Sequence, residues 1–280
     1  MGSYLSCDHK KKESLAYYYE SKKYVESKNY NNAYDAIEMA ILKDSTNYDF
    51  LIQKAVILSN LEQDIESISI LKNLLNKEYK KDTVNFLIGY SYFNISSFYL
   101  SSGKNYNKSE ISLENAIYYL DEALKKNPKY IKAYIIKSDS YHNLEKHKEA
   151  LITLNTALNI FPNNDILLYY RGVQRFLLGD IKNAINDLDY AINGNSLDSV
   201  DYSDAYRFRG LIYYERDDYE RAIDDLTNAI KYNNTNFYAF YNRGGIYKTI
   251  GEKEKACKDF FEAVDLGFTL IYDDVIEYCN

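Results

Sequence analysis

The sequence is poor in the residues that interrupt regular structure, with 2 prolines and 11 glycines among 280 residues. A strand-rich fold would need far more turn chemistry than this, so the composition points to helices. No run of about 18 apolar residues occurs, which excludes a transmembrane helix. A basic surplus is also missing. The 34 Lys and Arg stand against 41 Asp and Glu, a net charge of −7, which argues against a general nucleic-acid binder that must neutralise phosphates. The three cysteines, Cys7, Cys257 and Cys279, show no C-x-x-C spacing, so no zinc or dithiol motif is present. Their odd number predicts no disulfide framework, and Cys257, inside a helical pattern, is expected to be a buried or incidental thiol. Histidine is scarce too: His142 and His147 lie five apart, off a shared helical face, and His9 is remote. No carboxylate joins them at metal-ligand spacing and no glycine-rich phosphate loop occurs, so neither metal, cofactor nor catalysis is expected. What the chain has instead is tyrosine, 32 residues with no tryptophan, within a 46% hydrophobic and 27% charged composition that excludes a disordered chain.

Internal repetition organises these residues. The stripes Ala150–Leu154–Ala157, Ala184–Leu188–Ala191, Ala222–Leu226–Ala229 and Ala256–Phe260–Ala263 share a four-then-three spacing, the mark of one helical face. Twelve residues before each first Ala stands a small residue: Ser138, Gly172, Gly210 and Gly244. Three further stripes, Ala33–Ile37–Ala40, Ser67–Leu71–Leu74 and Ala116–Leu120–Ala123, extend the register backwards. Seven units result, beginning at 14, 48, 82, 131, 165, 203 and 237, with steps of 34, 34, 49, 34, 38 and 34. The eighth residue is always small (Ser21, Ala55, Gly89, Ser138, Gly172, Gly210, Gly244) and the twentieth is always Ala or Ser. Small residues on two antiparallel helices let their axes approach, while the large twenty-fourth residue fills the groove between them.

The pattern resembles the tetratricopeptide repeat (TPR) family, a 34-residue helix–turn–helix unit. Tyr206-x-x-Arg209-Gly210-x-x-Tyr213 leading to Asp217-Asp218-Tyr219-x-x-Ala222-Ile223 carries the resemblance most clearly, with Tyr241-x-Arg243-Gly244-x-x-Tyr247 beside it. Pro128 and Pro162 fall at the thirty-second position of their units, where the family breaks the chain. Departures are Leu74 for Ala, Arg175 for the aromatic, and no Trp at the fourth position; the unit from Tyr48 matches least well. The resemblance implies an all-α solenoid, a right-handed superhelix of antiparallel helix pairs over residues 14–268. Residues 269–280, with Leu270, Ile271, Val275 and Ile276 on one side, are expected to form a capping helix, because the end of a repeat array needs a polar cover.

The resemblance also implies a concave, partner-binding groove lined by Tyr18, Tyr90, Tyr169, Tyr170, Arg207, Phe208, Tyr214, Tyr238, Tyr241 and Asn242. Tyrosines combine large contact area with a polar tip and little rotamer entropy, which suits recognition of a peptide or helix of another protein. Family members that clamp C-terminal carboxylates need a Lys, Asn and Arg set that Arg207 and Asn242 match only in part, Leu211 replacing an Asn, so that ligand is not expected. Arg occurs as the seventh residue only in the last three units (Arg171, Arg209, Arg243), and Asp as the twenty-third only in those same units (Asp187, Asp225, Asp259). Co-occurring opposite charges of this kind are expected to form structural ion pairs, the alternative being a ligand-binding Arg row.

The long step at unit three places an insertion at about 94–112, expected to lengthen both helices by about two turns, with Ser109 or Ser112 as a cap and an SSGKNYNKS tip. It reads either as a tolerated loop or as an extra contact arm. Residues 1–13 read as an N-terminal tail with competing signals. Gly2 and Ser6 fit an N-myristoylation pattern with Cys7 as a second acylation site. Tyr4-Leu5-Ser6-Cys7 also resembles the end of a bacterial lipoprotein signal, though the charged start and apolar stretch are absent; an ordinary tail is the third reading. The sequence therefore predicts a non-catalytic scaffold or adaptor that binds other proteins and no nucleic acid. The alternative is a membrane-tethered, lipoprotein-like assembly factor of a multi-subunit complex.

Overall fold

The computed structural model describes residues 2–101 and 106–279, with 2–9, 101 and 271 described by backbone alone. Among the described residues the chain is helical throughout, with no strand. Helices α1 (Gly2–Glu26), α2 (Tyr30–Lys43), α3 (Tyr48–Asn60), α4 (Asp64–Asn76), α5 (Lys81–Ser101), α6 (Tyr106–Lys126) and α7 (Ile131–Asn143) belong to one compact unit that ends at Lys146. A second unit, from His147, holds α8 (His147–Ile160), α9 (Asp165–Leu177), α10 (Ile181–Asn193), α11 (Ser199–Tyr214), α12 (Tyr219–Tyr232), α13 (Phe237–Thr249) and α14 (Lys253–Asp265), then a 3₁₀ turn (Thr269–Ile271) and α15 (Tyr272–Cys279).

The small positions explain the pairing. A Cβ built on Gly89 would lie 2.8 Å from Leu120 Cγ, on Gly172 2.9 Å from Leu188 Cγ, and on Gly244 2.8 Å from the Phe260 ring. The eighth residue of one helix is thus pressed against the twenty-fourth residue of the next. Ala33, Ala116, Ala150, Ala184, Ala222 and Ala256, with Ile37, Leu71, Leu120, Leu154, Leu188 and Leu226, are fully buried. Each large member contributes roughly 1.5–3 kcal/mol by leaving water.

Turns within the repeats follow one rule. The fifteenth residue adopts a left-handed conformation in Lys28, Glu62, Glu145, Gly179, Asp217 and Gly251. The next residue's N–H then bonds back to a carbonyl five residues earlier, as from Gln63 to Leu58, Asp180 to Arg175 and Asp218 to Tyr213. This closes the first helix and satisfies otherwise orphaned carbonyls. Of the helices that follow these turns, α2 and α12 start on side-chain caps, Asn29 accepting from Asn32 N and Asp218 from Arg221 N, while α4, α10 and α14 have none. Helices α9 and α11, which open repeats, are capped by Asn164 and Asp198.

The inserted residues appear as length. Helices α5 and α6 each have 21 residues, where α7 has 13. The second helix begins at Tyr106, so Ser109 and Ser112 lie inside it and are buried, rather than capping it. Ser109 Oγ donates to the Ser96 carbonyl at 3.4 Å, a further close approach between the two lengthened helices. Residues 102–105 of the expected tip lie outside the described residues. At the other end of the chain, α1 begins at Gly2, so the stretch read as a tail continues the first helix as backbone; no proline or later glycine interrupts it.

The cysteines correct the sequence reading. Cys257 and Cys279 form a disulfide with a Cα–Cα separation of 5.7 Å, and Cys257 is only half-buried. Gly267, at a φ of 106°, turns the chain after α14 and brings α15 back over it. That return, not the 22-residue spacing, is what joins the pair. The capping helix buries Val275 against Ala256 and Phe260.

Candidate partner-binding site

In the first unit, Tyr18 is half-buried, stands 5.1 Å from the Phe50 ring and carries Lys22 Nζ 4.6 Å above its own ring. Tyr90, 37% exposed, stacks on Phe86 at 6.2 Å beside a small apolar hollow completed by Leu87, Ile135 and Ile136.

Six of the expected groove residues come together in the second unit. Tyr238 and Tyr241 of α13 both lean on Phe268, at 5.4 and 5.1 Å between ring centroids. Arg207 lies over the Phe208 ring at 4.1 Å and the Tyr238 ring at 5.5 Å, its charge met by Asp204 at 3.0 Å. Tyr214, Tyr241 and Asn242 line a cleft of about 820 Å³ together with Leu211, Ile246 and Phe260. Tyr214 and Tyr241 each keep 38% of their surface open. Tyr170 is half-buried against Tyr169, 4.8 Å away.

Tyr169 itself corrects the expected lining. It is only 6% exposed, so its ring is used inside the fold and is not offered to a partner. Burial, with the nearby Asp204, Tyr170 and Asp201, holds its phenol well above the usual tyrosine range. The family resemblance implies a repeat position for it and carries no information about coverage by a neighbouring helix. In the same neighbourhood Asp201 is pushed up to about 6, by burial first and then by the charges of Asp198 and Asp204.

The three Arg–Asp sets have one geometry. Arg171 Nε and Nη2 donate to Asp187 at 2.7 and 2.8 Å, Arg209 to Asp225 at 2.8 Å twice, and Arg243 to Asp259 at 2.7 and 2.8 Å. The remaining Nη1 of each reaches the preceding repeat: Asn155 at 3.2 Å, Asp189 at 2.7 Å and Thr227 at 2.9 Å. Each guanidinium therefore joins three consecutive helices. Arg175, standing where the repeat has an aromatic, adds a second cation to Asp187 at 2.6 Å. Burial works against the Arg209 charge, but hydrogen bonds and attraction from Asp225 and Asp189 outweigh it and hold its proton more firmly than usual. With their donors spent in this way, the three arginines are not a row presented to a ligand.

Sequence reasoning missed the second wall of the cleft. Asp274, Val275, Glu277 and Tyr278 of α15 line it together with Lys248 and Lys253, whose Nζ atoms lie 4.5 and 5.7 Å from the Tyr278 ring. The available signal was the apolar side of the expected capping helix, which carries Val275. The Gly2 and Cys7 side chains, the expected lipidation positions, lie outside the described residues. Among the described residues no group of three His, Cys, Asp or Glu could hold a metal, and no helix is long and apolar enough to cross a membrane.

Paired helices in which Gly89, Gly172, Gly210 and Gly244 each meet a large side chain define the class: an all-helical repeat scaffold of the kind used for contact between proteins. Comparison with known proteins makes the repeat type specific. A family model described as "TPR repeat" matches residues 210–251, and one described as "Tetratricopeptide repeat" matches 131–164 and 237–266. The chain carries tetratricopeptide repeats. It is similar to TPR repeat-containing protein MJ1428 of Methanocaldococcus jannaschii, 26% identical over 84% of this chain and 47% of that protein. Tetratricopeptide repeat protein 6 of Homo sapiens is 29% identical over 57% of this chain and 31% of its own length. The chain thus spans less than half the length of these curated relatives. Among solved structures, a tetratricopeptide repeat protein from Parabacteroides merdae superposes with a TM-score of 0.65 at 18% identity, covering 96% of this chain and 98% of that one.

Proposed function

We propose that the protein is a non-catalytic scaffold that binds a peptide or helix of a partner protein through the aromatic cleft of its second unit. The observation that carries this reading is the cleft itself, about 820 Å³, with Tyr214, Tyr241, Tyr278 and Leu211 around it and Asn242 available to meet a backbone amide. Stiff, half-exposed tyrosines lose little entropy on binding and are frequent anchors at interfaces. The charged residues that line it, Lys248, Lys253, Asp274 and Glu277, set orientation. The buried ion pairs hold the helices beneath and take no direct part. Selection of displayed random peptides on the full chain tests the proposal. Convergence on a motif with an aromatic or aliphatic anchor, lost on Tyr214→Ala, is expected; peptides that converge on a site insensitive to Tyr214 and Tyr241 would refute it.

A further inference from the structure

Besides its disulfide, the last helix is held by buried Val275 and half-buried Ile276 and Tyr278. Helix α15 has eight residues, too few to be stable alone in water. Its one buried side chain among those described is Val275, seated against Ala256 and Phe260. Tyr278 adds an edge-on contact to Phe260 at 6.2 Å, with Lys248 Nζ 4.5 Å and Lys253 Nζ 5.7 Å from its ring. The helix YDDVIEYC is acidic, and the cleft wall it faces supplies the two lysines. The arrangement is that of an acidic, aromatic helix docked on a basic-rimmed apolar seat, with a covalent bond fastening it there.

We propose that the seat formed by Ala256, Phe260, Lys248 and Lys253 is a docking surface for an acidic, aromatic-bearing helix of a partner protein, kept covered by α15 while the Cys257–Cys279 bond is closed. Neither cysteine is fully buried. A dithiol opens the latch in two exchanges. One of its thiolates attacks a cysteine sulfur and displaces the other cysteine as thiolate; its second sulfur then attacks the mixed disulfide and closes its own S–S bond. Two electrons and two protons pass to the protein, leaving Cys257 and Cys279 as thiols. Once released, α15 competes only as a tethered segment, at an effective concentration of roughly millimolar, which a longer partner helix with more contacts exceeds. Charge complementarity chooses that partner: Asp274 and Glu277 line the same cleft as Lys248 and Lys253, and both lysines stand over the Tyr278 ring.

The inference goes beyond the cleft reading and is tested separately from it. The full chain is compared oxidised, reduced with dithiothreitol, and as the Cys257→Ser/Cys279→Ser double variant. Hydrogen exchange over 269–279 is expected to accelerate about tenfold or more in the latter two, with α9 to α12 unchanged. A synthetic YDDVIEYS peptide, residues 272–279 with Cys279→Ser, at roughly millimolar concentration should shift the amide resonances of Lys248, Lys253 and Phe260 saturably in those two forms and not in the oxidised chain. Equal protection in all three overturns the latch. Lost protection with no peptide-induced shift overturns the docking surface. A reduction-dependent dimer in light scattering would assign the seat to a second copy and overturn the partner helix. Insensitivity of selected peptides to Tyr214 would damage only the cleft reading.

Discussion

Gly244 and Gly245 are adjacent in α13 and face opposite demands. A Cβ on Gly244 would meet the Phe260 ring at 2.8 Å, while one on Gly245 meets nothing within 4 Å. Gly244→Ala is therefore expected to destabilise, an overpacking cost of about 1–3 kcal/mol exceeding a helix-propensity gain of about 1 kcal/mol. Gly245→Ala keeps the gain without the clash and should stabilise by about 0.5–1 kcal/mol. Urea midpoints that move in opposite directions would show this; a shift of the same sign would mean that the helices do not meet at Gly244. Asp201 gives a pH signature at the same scale. Its folded value, about 6, lies above the ordinary 3.8, so the folded state holds the proton longer than the unfolded chain. The cost of ionising it is absent below about pH 4, grows as pH rises, and is complete above about pH 6, reduced by the solvent that still reaches this half-buried carboxyl. Asp201→Asn should thus raise the melting temperature at pH 7 and leave it unchanged near pH 4.

The ion pairs belong to the scale of elements, because each arginine joins three helices. Asp225 is 5% exposed, and Asp225→Ala would leave the Arg209 charge enclosed without its bidentate partner, an expected loss of about 3–5 kcal/mol. Adding Arg209→Met to that variant should recover much of the loss in thermal unfolding, and neither change should weaken peptide binding. No recovery would mean that the carboxylate stabilises α11 and α12 without the pair. Much of this level is legible in the chain. The sixteen-residue distance from Arg to Asp recurs three times, and the eighth and twentieth positions name their helix–helix contacts. The third contact of each arginine, to Asn155, Asp189 or Thr227, is hidden because those three side chains share no chemistry beyond an acceptor oxygen. The disulfide was hidden for a different reason: it depends on the turn at Gly267, and periodicity stops there.

For the whole molecule, repetition made the fold readable long before any surface could be. Serial small and large positions specify which helices touch, so an all-helical solenoid follows from the sequence. Which aromatic side chains remain open does not follow, since that is decided by coverage from the next element. Tyr169 is enclosed, whereas Tyr241 stands beside a cleft whose far wall comes from α15. On the proposed reading, a partner recognises only part of the tyrosine-rich face that the repeat register marks out. The affinity of a display-selected peptide for Tyr241→Ala, set against Tyr118→Ala as an exposed aromatic on α6, tests this most directly. A loss of about tenfold or more for Tyr241→Ala, with none for Tyr118→Ala, is the predicted result. Undiminished binding to a folded Tyr241→Ala would contradict the assignment of the cleft as the site of partner recognition.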